Sequence, residues 1–298
     1  MTARFGPRRY LVEHATRYTY DAVVEAVYNR GFLRPRDTEW QIVLSSDLTV
    51  APEPDQVSEH LDYFGNHSTY LESRDPHTEF AVVCRSRVAV DWPRPDLAAL
   101  NQHTVGQAAR ELAARTDPVL LADFTLASPL VALDAAVREF AADLLPPERP
   151  LGEALVTLVH AINDGFRYDS AATSVVTTLD DLLDLRAGVC QDFAHLAAGC
   201  LRAAGLPARY VSGYLETAPP PGEAKLQGAD ASHAWTSVLV PEVGWVDIDP
   251  TNAQFADSRY IVTAWGRDFT DVSPLRGVVY TEAAGSDLAV SVDVTPLD

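Results

Sequence analysis

The sequence has little lysine, little cysteine and a deficit of positive charge. Lys225 is the only lysine among 23 basic residues, and 42 acidic residues bring the formal net charge to −19. Such an acidic surface repels phosphate backbones, which argues against nucleic acid as a partner. The chain also lacks an apolar run of the ~18 residues that a membrane-spanning helix needs, so no membrane contact is expected.

A secretory signal is not recognisable either. Basic residues near the start of the chain are not followed by an apolar segment, so we expect a cytoplasmic protein. Cysteine occurs at only three positions, and an odd number in a chain of this length does not favour a disulfide framework. Each thiol is therefore either a packed apolar group or a reactive one. Cys84, in a strand-like stretch, is predicted to be packed.

The remaining patterns divide the chain into three regions. Residues 1–95 consist of short strand-like stretches separated by turn signals, which predicts a β-rich N-terminal domain. Prolines at 91–96 mark a boundary, and apolar residues at three- and four-residue spacing predict a helical connecting segment over 96–150. Residues 151–298 form the third region, in which we look for the chemistry.

Within the third region, an alanine-rich helix is predicted over 190–204, closed by Gly205 and Pro207. Strands are predicted after it, at 208–216, 232–240, 244–248 and 288–294. A polar, proline-rich loop at 217–231 joins the first two of these strands. This loop is either a gate over a cleft or a solvated hairpin tip.

Cys190 lies in the first turn of the predicted helix. The unpaired N–H groups and the dipole of a helix N-terminus stabilise a thiolate. The same N–H groups, including that of Cys190 itself, can hold an oxyanion formed by attack on a carbonyl. The sequence does not reveal a second donor to that oxyanion. Taken alone, Cys190 is also compatible with a structural role.

A histidine and a carboxylate can reach the same end of a hairpin. His233 begins a predicted strand directly after the polar loop. If residues 232–240 and 244–249 pair, Asp249 lies near His233 and can accept its imidazole N–H, which fixes the tautomer. Asp247 shares a strand face with Asp249 and competes for this role. Because Asp247 lies farther from the His233 end of the hairpin, position along the strand favours Asp249.

A metal site on the predicted helix is not expected. Cys190, His195 and Cys200 lie five residues apart, and each such step rotates the side chain by about 140° on a helix. The three side chains therefore cannot converge on one ion. We expect no metal and no cofactor, with His195 in a helix-face hydrogen bond and Cys200 packed in the core.

Several separate segments of this chain resemble the bacterial transglutaminase-like superfamily. They are similar to its opening strands, its cysteine, histidine and aspartate segments, and its tail, in the family's order. The matching segments are 14–18, 64–66, 185–195, 206–214, 233–235, 244–252 and 266–277. The resemblance covers nearly the whole chain, and no catalytic position departs from it.

This resemblance implies an α+β fold with a papain-like core, in which the nucleophile helix packs on an antiparallel sheet, preceded by a β-rich region. It implies Cys190 as nucleophile, His233 as base and Asp249 as the carboxylate that orients the histidine. The thiolate would attack an amide carbonyl, and water or an amine would resolve the thioester. Possible cleft-lining or supporting residues are Gln191, Asp192, Trp235 and Trp245.

Three functions follow from this reading. The first is a hydrolase, a cysteine peptidase or amidase acting on a peptide or protein. The second is a transglutaminase, in which an amine is the acceptor. The third is a non-catalytic peptide-binding module, which has no need of a complete Cys–His–Asp set. The resemblance also suggests ATP-grasp or helical partner proteins.

Overall fold

The fold was obtained as a computed structural model, which describes residues 4–115, 118–174, 176–217, 231–282 and 285–297. The strands are β1 (Arg8–Gly31), β2 (Gln41–Ala51), β3 (Gln56–Leu61), β4 (His67–Ser73), β5 (His77–Val90), β6 (Arg167–Tyr168), β7 (Ala187–Gly188), β8 (Ala208–Leu215), β9 (Ala231–Val240), β10 (Gly244–Asp249), β11 (Gln254–Phe255), β12 (Tyr260–Gly266), β13 (Leu275–Thr281) and β14 (Ser286–Leu297). The helices are α1 (Leu97–Leu100), α2 (Val105–Ala113), α3 (Pro118–Asp123), α4 (Ala135–Leu144), α5 (Leu151–Gly165), α6 (Leu179–Leu185), α7 (Cys190–Ala203) and α8 (Phe269–Val272).

The long strand β1 is the central strand of an antiparallel N-terminal sheet. Its first half pairs with β5 on one side and β14 on the other, and its second half pairs with β4 and β13. Strands β2 and β3 are the outer strands, so that the order is β2-β5-β1-β4-β3. Buried residues alternate with less buried ones along the first part of β1, and the buried face includes Tyr10 and Val12 as well as the polar His14 and Thr16. The predicted β-rich N-terminal region is confirmed.

The last two strands join this N-terminal sheet. The predicted final strand at 288–294 is present within β14, where Val292 and Val294 are buried and Val290 is half exposed. Its partner is β1, in register from Arg9↔Leu297 to Tyr20↔Ser286. The proposed region 151–298 thus supplies strands to the sheet formed by the start of the chain. The boundaries near residues 95 and 150 stay predictions.

The core of the chain is a second antiparallel sheet, in the order β11-β10-β9-β8-β12. Helix α7 packs on this sheet and is buried over 192–202. Its alanines leave little side-chain bulk, so the backbones approach closely, and Thr236 Oγ1 on β9 donates to the carbonyl of Ala194 at 2.8 Å. The expected α+β arrangement, a helix with Cys190 at its start on an antiparallel sheet, is confirmed.

The two sheets pack directly against each other. Tyr10 and Val12 of β1 share an apolar cluster with Val211, Trp235 and other residues of the core sheet. Tyr10 also donates its hydroxyl to Glu216 at 2.9 Å. Helix α7 therefore packs on one face of the core sheet, and the N-terminal sheet packs on the other face.

Within the described ranges, no helix combines the length and the apolar character required to cross a membrane.

Candidate active site

Cys190 begins α7 and is only partly buried. The turn before it is held by Asp192, whose Oδ2 accepts the Val189 N–H at 2.9 Å and the Thr173 hydroxyl at 2.7 Å. Burial raises the pKa of Asp192, and these two hydrogen bonds act against that shift. A side chain at Gly188 would meet Asp192 Oδ2 at 2.8 Å, which explains the glycine there. Asp192 thus supports the turn that presents the thiol.

His233, near the start of β9, contacts both of its expected partners. Its Nε2 lies 2.7 Å from Asp249 Oδ2, and its ring is close enough to the Cys190 side chain for the two groups to interact. Because Nε2 is engaged by the carboxylate, Nδ1 is the ring nitrogen left for the thiol. Burial by itself lowers the pKa of His233, but the charge and hydrogen bond of Asp249, with the contact to Cys190, outweigh burial and raise that pKa to about 10.

Asp249 is fully buried at the end of β10 and is fixed from several directions. Its Oδ1 accepts the backbone N–H groups of Thr251 at 2.8 Å and Asn252 at 3.2 Å. Its Oδ2 accepts the Asn252 side-chain amide at 2.7 Å and the Tyr260 hydroxyl at 2.6 Å, besides His233. Burial would raise the pKa of Asp249, but His233 and these donors lower it overall. The carboxylate is therefore held ionised and oriented toward the imidazole.

Asp247, the competing carboxylate, faces a different partner. Its Oδ2 accepts the indole N–H of Trp235 at 2.7 Å. Trp235 is fully buried, and its ring stacks on His233 with centroids 6.1 Å apart and contacts Tyr260 at 5.3 Å. Asp247 is therefore linked to His233 only indirectly, through its hydrogen bond with Trp235. The ring of Trp235 packs against the imidazole and does not line an open cleft.

The other two candidate residues lie at different distances from the thiol. Gln191 follows Cys190 in the first turn of α7 and is half-buried. Trp245 is at the opposite end of β10 from Asp249, four residues away, which is about 13 Å along a strand. Its ring contacts Phe124 instead, with centroids 5.5 Å apart. Trp245 is thus not brought to the Cys190 site.

Two tyrosines at this site were not found by sequence reasoning. The Tyr168 hydroxyl lies close enough to the Cys190 side chain to interact with it, and Tyr168 is more than half exposed. Burial of the hydroxyl, and then Cys190, raise the pKa of Tyr168. Tyr260 holds Asp249 from β12. Neither is detectable in sequence, because each reaches the site from a distant segment, whereas Asn252 lies within the resembling aspartate segment.

Cys84 and Cys200 are packed, and His195 makes a hydrogen bond, as predicted for each. Cys84 and Cys200 are buried, and burial raises the pKa of each. His195 is buried, its Nε2 accepts the Phe269 backbone N–H at 3.1 Å, and burial lowers its pKa to about 3. Among the described residues, no group of three or more His, Cys, Asp and Glu side chains is arranged to hold a metal ion. The proposed gating loop falls largely on 218–230, outside the described residues.

Two family models match this chain. The model for the bacterial transglutaminase-like N-terminal region matches residues 10–89, which make up most of the N-terminal sheet. The model for the transglutaminase-like superfamily matches residues 138–250. The second match includes Cys190, His233 and Asp249.

Individual proteins show the same similarity. An uncharacterized protein of Mycobacterium tuberculosis is 44% identical over 301 residues, with 98% of this chain and 94% of that protein covered. A protein-glutamine gamma-glutamyltransferase of Pseudomonas aeruginosa is 37% identical over 111 residues, 33% of this chain and 16% of that protein. The crystal structure of a candidate cysteine protease from Cytophaga hutchinsonii has a TM-score of 0.79 at 20% identity, with 98% of this chain and 91% of that chain covered. This last likeness establishes a shared fold.

Proposed function

Because the chain belongs to the transglutaminase-like superfamily, we propose that it catalyses acyl transfer at an amide bond through a thioester on Cys190. Members of this superfamily are generally cysteine-dependent enzymes. The observation that carries the proposal is the chain of contacts from the Cys190 thiol to His233 and from His233 to Asp249, at 2.7 Å for the second contact. A binding scaffold has no need of this continuous arrangement.

Before the first half of the reaction, the thiol proton passes to His233, and the Cys190 thiolate paired with the imidazolium then attacks the carbonyl carbon of the substrate amide. The tetrahedral intermediate collapses with cleavage of the C–N bond. His233, which Asp249 keeps in the imidazolium form, transfers its proton from Nδ1 to the departing nitrogen. The free amine leaves, and the acyl group remains on Cys190 as a thioester.

Two donors are suited to hold the oxyanion of that intermediate. The first is the Cys190 backbone N–H, since N–H groups in the first turn of a helix lack intrahelical acceptors. The second is the Tyr168 hydroxyl, which lies next to the Cys190 side chain. We assign Tyr168 as the donor that the sequence did not reveal.

Water is our preferred acceptor for the second half of the reaction. With His233 as base, a water molecule attacks the thioester carbonyl and releases a carboxylic acid and the free Cys190 thiol. Cys190 is only partly buried, which leaves solvent access to the thioester. The substrate class would then be a peptide or protein, and the activity that of a peptidase or amidase.

A transglutaminase reaction is the second candidate. It is favoured by the similarity of 111 residues to the Pseudomonas aeruginosa protein-glutamine gamma-glutamyltransferase. In this case a primary amine attacks the thioester in place of water, and a new amide is formed. The ATP-grasp and helical partners and the cytoplasmic location stay predictions.

The nucleophile can be identified by measuring iodoacetamide alkylation of each cysteine at about pH 6, where an ordinary thiol with a pKa near 8.5 is almost entirely protonated. We expect Cys190 to react rapidly and the buried Cys84 and Cys200 to remain unmodified. His233→Ala should abolish the reaction of Cys190 at this pH. His103→Ala, which removes another histidine paired with a carboxylate, should leave it unchanged. A Cys190 that reacts like a free thiol would favour the peptide-binding module.

The acceptor can be identified with a glutamine-containing peptide and a primary amine in ¹⁸O-labelled water. Hydrolysis places labelled oxygen in the product carboxylate, whereas a transglutaminase product contains the amine and no label. We expect labelled carboxylate, and no product from Cys190→Ala. Turnover by Cys190→Ala would refute the thioester route.

A further inference from the structure

A cavity of about 480 Å³ lies at the other end of the core sheet from Cys190. It is lined by Tyr63, Phe64, Arg115, Leu121, Phe124, Arg209, Leu239, Trp245 and Trp265. Arg209 on β8 pairs with Ser237 on β9, four residues along the strand from His233, which corresponds to about 13 Å. The cavity is thus separate from the proposed catalytic site, and it brings together the β3–β4 turn, the helical segment and the core sheet.

Arg209 is buried in the wall of this cavity, with 8% of its surface exposed. Its guanidinium carbon lies over two indole rings, 4.2 Å from the centroid of Trp245 and 3.7 Å from that of Trp265. Its Nε has no hydrogen-bond partner, and none of its N–H groups donates to any residue within the described part of the chain. Buried guanidinium N–H groups without an acceptor are energetically costly.

Other buried arginines of this protein are supplied with acceptors. Arg202 donates to the carbonyls of Ala208 at 3.0 Å and Leu126 at 3.3 Å, among others. Arg259 forms an ion pair with Asp257 at 2.6 Å. Arg34 and Arg36 also have a buried Nε without a partner, but each donates through Nη1, to Glu59 and to the carbonyl of Phe64, whereas the Arg209 guanidinium donates to no described residue.

The charge of Arg209 is only partly balanced by the protein. Burial lowers its pKa to about 9, Asp247 acts in the opposite direction, and the group remains cationic at neutral pH. However, Asp247 Oδ2 already accepts the Trp235 indole N–H. A ligand oxygen entering the cavity would therefore have the Arg209 donors available.

We propose that this cavity binds a small carboxylate with an aromatic body. The two indole rings pack against the Arg209 guanidinium and leave its planar N–H fork for a ligand, and a carboxylate matches this fork in a bidentate way. The rest of the wall is rich in aromatic rings, which favour stacking with a ligand ring. The volume lies within the range of small-molecule sites. A free aryl acid and the C-terminus of a peptide ending in phenylalanine share this chemistry.

The test is calorimetric titration of the full chain with phenylacetate and, as a neutral isostere, phenylacetamide. We expect saturable binding of the acid, and binding of the amide weaker by about tenfold or more, because the charge-assisted hydrogen bonds are lost. The indole N–H signals of Trp245 and Trp265 in NMR spectra should shift with the acid. Equal affinity of acid and amide, or no saturation at millimolar concentration, would overturn the proposal.

A pair of variants locates the interaction. Arg209→Lys retains the positive charge but loses the planar fork, so phenylacetate affinity should fall by about tenfold. The matched control is Arg17→Lys at an exposed arginine, which should bind like the parent chain. If Arg209→Lys does not fold, as judged by thermal unfolding, the acid–amide comparison in the parent chain decides the question.

A peptide titration distinguishes the two sources of the carboxylate. N-acetyl-Gly-Gly-Phe with a free C-terminus is compared with the same peptide carrying a C-terminal amide. Binding of phenylacetate together with the free-acid peptide supports a site that includes peptide C-termini, and binding of phenylacetate alone supports a site restricted to free aryl acids. The proposal does not depend on catalysis by Cys190, so Cys190→Ala should bind phenylacetate with unchanged affinity.

Discussion

At the scale of single residues, the candidate site depends on a charge pair that is almost completely removed from water. Asp249 receives hydrogen bonds from His233, Thr251, Asn252 and Tyr260, and these donors offset the cost of burying its negative charge. His233 in turn is covered by the ring of Trp235. The imidazole therefore has one orientation, with Nδ1 toward the thiol, before any substrate binds.

This pair predicts a specific dependence of stability on pH. The pKa of His233 in the folded chain is raised to about 10, from 6.5 when unperturbed, so its stabilising contribution is complete below 6.5 and is lost as the pH rises toward 10. The lowered pKa of Asp249 acts at the acidic end, where stability is lost as the pH falls through that value. Between these limits the pair should stabilise the fold.

The measurement is the free energy of unfolding in urea for Cys190→Ala and for Cys190→Ala with Asp249→Asn, since the first change removes the contribution of Cys190 to the pKa of His233. We expect the single variant to be the more stable, and its advantage to shrink between about pH 6 and about pH 9. A constant difference over this interval would show that His233 does not keep its proton in the folded chain.

At the scale of elements, the close approach of β8, β9 and β12 depends on Gly213. A Cβ there would lie 2.1 Å from the carbonyl oxygen of Ile261 and 2.5 Å from the ring of Trp235. Both are rigid neighbours, one being strand backbone and the other a buried indole. Gly213 therefore affects both the pairing of these strands and the packing of Trp235 against His233.

Gly213→Ala should lower the free energy of unfolding by about 3 kcal/mol, because β12 or Trp235 must shift. It should also reduce turnover, because the ring that covers His233 is displaced. The matched control is Gly165→Ala at the end of α5, where a Cβ meets no atom within 4 Å, and the change should stay within about 1 kcal/mol. Equal effects of the two substitutions in urea unfolding would contradict this account.

At the scale of the whole molecule, the two ends of the chain are joined in one sheet. Strand β14 lies along the first half of β1, and its buried Val292 and Val294 belong to the same apolar cluster as Tyr10 and Trp235. The cluster therefore extends from the C-terminal strand to the ring beneath His233. Loss of packing in β14 should destabilise the molecule as a unit.

Val292→Ala should lower the unfolding free energy by about 2 kcal/mol, since it removes buried apolar volume from this cluster. Val290→Ala, on the same face of β14 but at a half-exposed position nearer its start, should change it by less than about 0.5 kcal/mol. Circular dichroism and tryptophan fluorescence should report coincident unfolding for Val292→Ala. Separate transitions would show that the N-terminal sheet and the core unfold independently.

The sequence by itself determined the features that depend on local patterns. Alanine-rich periodicity after Gly188 placed Cys190 at a helix start, and alternation placed the strands that carry His233 and Asp249. Strand geometry also favoured Asp249 over Asp247, because position along one hairpin decides which carboxylate is near the histidine. Burial of Cys84 and Cys200 followed from the apolar character of their surroundings.

Only the tertiary structure decided which distant segments meet. Period-two alternation shows that one face of a strand is buried, but it does not identify the neighbouring strand, so the pairing of β14 with β1 was not predictable. Tyr168 and Tyr260 reach the site from β6 and β12, and Arg209 meets Trp245 and Trp265 across three strands. Such contacts join residues far apart in the chain, and no local spacing encodes them.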